Sequence, residues 1–259
     1  MKIKRSRYFN FRNISSACLE FADGINIISG DNAEGKTNAL EGIYVCSAGR
    51  SHRAQKDNEL IKFGEDTAAV CVEYDDGRRL CQAGITYSQR GRKSCEVNSA
   101  KIKKMSEFIG NFRAVLFTPE HLSMIKGPPS SRRAFLDSSI SQLDPVYVAC
   151  LQNYNEALEN RNRLLDAGSF ADDEQLRLWS WQMAKYAVTV SEKRAAYIKK
   201  ASGITAVIFE DMTSGREKLT LSYEEERDEE SFIRLLTENL EREKAAGTTL
   251  YGVHRDDIL

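Results

Sequence analysis

One octapeptide limits this chain more than any other stretch: Gly30-Asp31-Asn32-Ala33-Glu34-Gly35-Lys36-Thr37. Its spacing is G-x-x-x-x-G-K-[ST], in which a chain leaves a strand, turns tightly and enters a helix. Successive backbone N–H groups then point inward at one spot, and the helix N-terminus adds partial positive charge. Such a loop wraps phosphate. The flanking sequence has the required order. Ile25, Ile27 and Ile28 form a β-branched run that stops at Gly30, as a buried strand stops at a turn. Thr37 to Ala48 then reads as a helix, with Leu40, Ile43 and Tyr44 on one face. In this reading Lys36 lies against the β- and γ-phosphates of a nucleotide, and the Thr37 hydroxyl ligates Mg²⁺. Ala33 sits where many such loops carry a third glycine. If the backbone there needs positive φ, alanine costs about 1 kcal/mol or more.

The four prolines, Pro119, Pro128, Pro129 and Pro145, divide the chain into two kinds of sequence. Before them the segments are short and alternating. "KIKRSRYFNF", "TAAVCVEYDDGRRLCQAGITYS", "CEVNSAKI" and "FRAVLFTP" read as strands, with Asp76-Gly77 a hairpin signal. After them, Asp144-Pro145 starts a helix carrying Tyr147, Leu151, Tyr154, Leu158 and Leu165. Asp172-Asp173 starts a second, with Leu176, Trp179, Met183, Tyr186, Val190 and Tyr197 in the same three-and-four rhythm. Two narrow apolar stripes joined by a short break predict an antiparallel helical hairpin. The stripes are read as packing, not as a binding surface. "GITAVIFEDMTSGREKLTLSYEEE" reads as two strands around Thr213-Ser214-Gly215, a β-hairpin near 204–223. The acidic run Glu224 to Glu230 reads as a solvated loop before a last helix.

The expected fold class is α/β: a P-loop ATPase head with a mixed sheet, plus a mainly helical second lobe. The head takes residues 1–120 and is completed by 248–259, and the second lobe takes 121–247. No apolar run reaches the length of a membrane span, and the basic start lacks the apolar stretch of a secretory signal. Six cysteines show no C-x-x-C spacing, so they read as free thiols of a reducing cytoplasm. The formal charge of −1 says little about partners, but cations are concentrated locally. Lys2, Lys4, Arg5 and Arg7 open the chain, and Arg50, His52 and Arg53 follow the phosphate-loop helix. Eight Lys/Arg and one acid occupy residues 78–104, and Arg132 and Arg133 follow the double proline. On one face these would track a nucleic-acid backbone, with strong salt dependence. The simpler reading is that solvated strands and loops carry charge.

Three motifs in order carry a family resemblance. "FRN…INIISGDNAEGKTNALEGIYVCSAGRSHR", "LFTPEHLSMIKGPPSSRRAFLD" and the C-terminal "YGVHRDDIL" resemble the RecF family from one end of the chain to the other. Val253 stands where that family's last motif usually has proline. The resemblance implies a head of the SMC and ABC type that binds ATP and Mg²⁺ and dimerises with nucleotide between heads. It implies binding to single-stranded and gapped or linear duplex DNA, and partnership with RecR and RecO in repair, replication and the SOS response. It also places Arg12 and Asn32 on the nucleotide, with Gly30, Asp31, Ala33, Glu34, Gly35, Lys36 and Thr37. Family members continue past the H-R-D-D segment with a signature motif and the Walker B acids. Without those, a chain of this length is expected to bind nucleotide weakly and hydrolyse it little or not at all. "RDD" at 255–257 follows "GVH" and not an apolar strand, so it reads as a turn or salt bridge. The alternative is a nucleotide-binding module without catalysis that acts only through protein partners. A small-molecule kinase fits the long helical hairpin poorly.

Overall fold

The computed structural model describes residues 1–91, 93–223 and 228–258. The chain forms two compact units. The first holds Met1–Phe117 and Ser141–Pro145; the second holds Thr118–Ile140 and Val146–Leu259.

The first unit is a six-stranded sheet with a helix against one face. Strands β1 (Lys2–Phe11), β2 (Ile14–Glu20), β3 (Thr67–Asp75), β4 (Leu80–Ser88), β5 (Ser94–Val97) and β6 (Ala100–Ile102) lie in the order β2-β1-β3-β4-β5-β6. Every pairing in this sheet is antiparallel. The period-two pattern fixes the inner face: Ala68, Val70, Val72 and Tyr74 on β3 meet Cys81, Ala83, Ile85 and Tyr87 on β4. The Asp76 carboxylate accepts the amides of Arg78 and Arg79 and closes the β3–β4 turn. Helix α1 (Lys36–Ala48) covers this face. Its buried side is Ala39, Gly42, Val45 and Cys46, whereas Leu40 is exposed and Ile43 and Tyr44 are half-buried. The expected face was therefore rotated. Small residues let the helix lie close to the sheet: a Cβ on Gly42 would stand 2.5 Å from Tyr8 Cε1.

The segment 24–29 forms no strand. Ile25 and Ile27 are 92% and 87% exposed, and Val115 and Phe117 of "FRAVLF" are 94% and 78% exposed. Both segments have strand-type sequences, but a strand exists only where a neighbour takes its hydrogen bonds. Among the described residues neither finds a ladder.

The second unit is helical. Short helices α2 (Met105–Phe108, in the first unit) and α3 (Ser123–Lys126) precede α4 (Pro129–Ser141), α5 (Pro145–Leu165), α6 (Asp173–Thr213), α7 (Glu229–Glu238) and α8 (Leu240–Ala246). Arg161 of α5 meets Ser180 of α6, and Tyr147 meets Arg194, so the two helices run antiparallel as expected. Tyr147, Tyr154, Met183 and Val190 of the two stripes are buried between them. The Asp172 carboxylate caps α6 by accepting the Glu174 and Gln175 amides.

The β-hairpin expected near 204–223 is not there. α6 runs on to Thr213, a length of about 60 Å at 1.5 Å per residue. Ile204, Val207, Ile208 and Met212 repeat at helical spacing, and the Thr205 and Thr213 hydroxyls bond the carbonyls of Ala201 and Phe209. Ser214-Gly215, read as a strand turn, is the left-handed end of the helix, with Gly215 N–H on Glu210 O. Residues 248–259 were expected with the head; they lie in the second unit. Asp257 is held there by both Arg132 Nε and Nη2 at 2.7 Å, and Asp256 takes the Tyr223 hydroxyl. The "RDD" acids thus serve as salt-bridge and hydrogen-bond partners, as expected. Residues 224–227 of the acidic run lie outside the described residues.

Candidate functional site

The phosphate-type loop runs into helix α1 as expected, although the segment before it forms no strand. Gly30, Ala33 and Gly35 all have positive φ, at 153°, 69° and 98°. Gly35 suits its φ of 98°, which a side chain resists, and a Cβ there would stand 2.8 Å from Asn13 Oδ1 and displace it. Ala33 is a non-glycine residue in the left-handed region, so the expected strain is present. The first bond of α1 runs from Ala39 N–H to Gly35 O at 2.8 Å. The amides of Lys36, Thr37 and Asn38 precede it, at the end of the helix that favours anions. Lys36 Nζ donates to Gly30 O at 2.7 Å and to Asp31 O at 2.6 Å, so its ammonium closes the loop's mouth. Glu34 Oε2 accepts Asp31 N–H at 3.1 Å. Asn32 and Thr37 are exposed.

The tip of the β1–β2 hairpin stands beside this loop. Arg12, at φ 57°, and Asn13 make the turn. Asn13 Nδ2 donates to Ala33 O at 2.8 Å. Arg12 donates through Nε and Nη2 to the two oxygens of Glu41, at 3.0 and 2.8 Å. Glu41 is fully buried on α1. Burial pushes its carboxyl pKa up, but hydrogen bonds from Arg12, Arg53 and Ser51 outweigh this and hold it at about 2. Arg12, Asn13, Asn38, Arg53, Glu59 and Ile61 line an open cavity of about 480 Å³.

The residues expected at nucleic acid fall in different surroundings. Arg50 is exposed just past α1. His52 is half-buried, its ring edge-on to Tyr44 with centroids 5.8 Å apart. Arg53 turns toward Glu41 and Asn38, at 2.5 and 2.7 Å, and so joins the loop's own network. In the second unit Arg132 is fastened to Asp257 and to the carbonyls of Met124 and Gly127, while Arg133 donates to Asp256 O at 2.7 Å. Arg78, Arg79, Arg90, Lys101, Lys103 and Lys104 are exposed. Glu41, Asn13 and Asn38 were missed by the sequence reading. An acid on the inner side of an otherwise small and apolar helix face is the signal that would have found Glu41.

Strained loop, closing lysine and the free N-terminal amides of α1 together define a P-loop nucleotide-binding head of the ATPase-domain class, and a family model described as an AAA domain matches residues 7–249. Curated relatives narrow the class. The chain is 36% identical over its whole length to the DNA replication and repair protein RecF of Clostridium beijerinckii, covering 72% of it. It is 38% identical to RecF of Clostridium novyi, covering 100% of this chain and 73% of that one. A solved structure of the recombination mediator protein RecF with ATP, in the RecFOR pathway, matches with TM-score 0.90 at 33% identity. It covers all of this chain and 73% of that one. The chain belongs to the RecF family.

No helix among the described residues is long and apolar enough to cross a membrane.

Proposed function

We propose that this chain is an ATP-binding and DNA-binding recombination mediator of the RecF kind, acting in DNA repair, replication and the SOS response. The observation that carries the reading is the loop at 30–37, with left-handed Ala33 and Gly35 and Lys36 across its mouth. Residues Gly30 to Thr37 would hold the triphosphate of ATP. Arg12 stands beside them with its guanidinium aimed by Glu41. Thr37 is exposed in the first turn of α1, where its hydroxyl fits a hard cation beside phosphate. Mg²⁺ bound there would neutralise charge on the phosphates.

The family relation and the RecF–ATP structure support nucleotide binding; the exposed cations of 78–104 with Arg50 support contact with a nucleic-acid backbone. RecR- and RecO-type mediators and a second copy of the chain, joined through nucleotide, are the partners in this reading, and the compartment is the cytoplasm. A polypeptide limited to these 259 residues is expected to bind nucleotide with little or no turnover. Sustained phosphate release that disappears in Lys36→Ala would refute that.

One set of observations favours the second reading, a nucleotide-binding module acting through protein partners alone. Arg53, Arg132 and Arg133 spend their hydrogen bonds within the chain. Titrating gapped duplex into the protein with and without ATP across a salt series separates the two. The mediator reading expects affinity that falls steeply with salt, as backbone contacts require. Binding that is absent or flat with salt would leave the partner-only module.

A further inference from the structure

Glu41 is the node of a closed network on one side of the phosphate loop. Its carboxylate takes four donors: Arg12 Nε and Nη2, Arg53 Nη2 at 2.5 Å and Ser51 Oγ at 2.5 Å. That fills the acceptor capacity of a carboxylate. Ser51 Oγ in turn accepts the amides of Arg53 and Ala54, each at 2.9 Å, so the turn 51–54 is built on Glu41. From Arg53 a second line runs back to the loop. Arg53 Nη2 donates to Asn38 Oδ1, Asn38 Nδ2 donates to Asn13 Oδ1 at 2.7 Å, and Asn13 Nδ2 donates to Ala33 O at 2.8 Å. Each amide accepts on one side and donates on the other, so the line has one direction and ends on the strained residue of the loop. Two guanidiniums share one carboxylate, and four residues of the network line the open cavity.

We propose that Glu41 is a positioning residue: it locks Arg12 and Arg53 into one unit and, through Asn38 and Asn13, makes the turn 51–54 respond to what the phosphate loop holds. This rests on the nucleotide reading of residues 30–37. A triphosphate in the loop draws on the same backbone that Asn13 grips, and any shift of Ala33 is passed through two amides to Arg53. Residues joined in one hydrogen-bond network couple to one another, so their effects do not add as separate pairs.

Hydrogen exchange of peptides spanning 51–54 reads the response, because the Arg53 and Ala54 amides are bonded inside that turn. Exchange is measured with and without Mg-ATP, at concentrations that saturate each protein, for the native chain, Asn13→Ala, Glu41→Gln and the double variant. In the native chain ATP is expected to change exchange at 51–54 by about threefold or more, a local-opening effect. Asn13 is exposed, so Asn13→Ala folds and keeps the test alive if Glu41→Gln does not. Each single variant is expected to lose the response while loaded with ATP, and the double variant to lose no more than either. An ATP-loaded Asn13→Ala that keeps the native response overturns the proposal, as does an ATP-loaded native chain with none. Failure of the native chain to take up ATP at all removes the nucleotide reading itself, a distinct outcome that takes this proposal with it.

Discussion

Ala33 concentrates the residue-scale argument. Its φ of 69° is one that a side chain resists, and its carbonyl is gripped by Asn13. Ala33→Gly removes the Cβ penalty and adds unfolded-chain freedom, so the net gain is expected to be small, about 0.5–1 kcal/mol, seen as a raised denaturant midpoint. The possibility of strain at this position was legible in the sequence, from the loop motif alone. His254 was not. Its Nδ1 lies 2.6 Å from the Tyr154 hydroxyl and its Nε2 faces Thr249 O, a neutral tautomer inside the second unit. Burial pushes its pKa down from 6.5 to about 4. The unfolded chain therefore binds the proton first, and stability present above pH 6.5 is lost as pH falls toward 4. The loss is on the order of 3 kcal/mol. Thermal melts from pH 7 to 4.5 should fall more steeply for the native chain than for His254→Gln; equal slopes would remove His254 from the account.

At the scale of elements, local pattern and tertiary partner compete. β1, β3, β4 and the two long helices were legible because their periods are strong and their partners lie within the described chain. The period of α1 pointed to Leu40, Ile43 and Tyr44, yet the sheet took the side with Gly42, where close approach outweighs side-chain area. Gly42→Ala should cost about 1–3 kcal/mol by overpacking against Tyr8, although alanine is the better helix former. A neutral or stabilising result in chemical denaturation would contradict this packing. The end of α6 was misread because β-branched residues suit strands, while their three-and-four spacing suits a helix. The segments around Ile27 and Val115 show the reverse: strand sequence without a ladder. Their exposed apolar side chains should drive self-association of this polypeptide, detectable by sedimentation. Val115→Lys with Phe117→Lys should reduce it without lowering the melting temperature.

For the molecule as a whole, the two units are held by different means. The first has an apolar core between sheet and α1. The second adds a fully buried ion pair: Arg161 Nη2 to Glu243 Oε2 at 2.6 Å, with Ser180 and Thr249 on the same guanidinium and Leu250 N–H on Glu243 Oε1. Removing one partner strands the other charge, so Glu243→Leu should cost about 3–5 kcal/mol, followed by calorimetry of unfolding. None of this pairing was legible, since its members are 82 residues apart and each reads as an ordinary surface charge on a helix.

Every proposed function depends on nucleotide held by the loop of residues 30–37, which isothermal calorimetry of Mg-ATP binding checks. One nucleotide is expected to bind per chain, and Lys36→Ala is expected to lose that binding with the fold intact by circular dichroism. No binding heat from the native protein, or equal affinity in the variant, would contradict this.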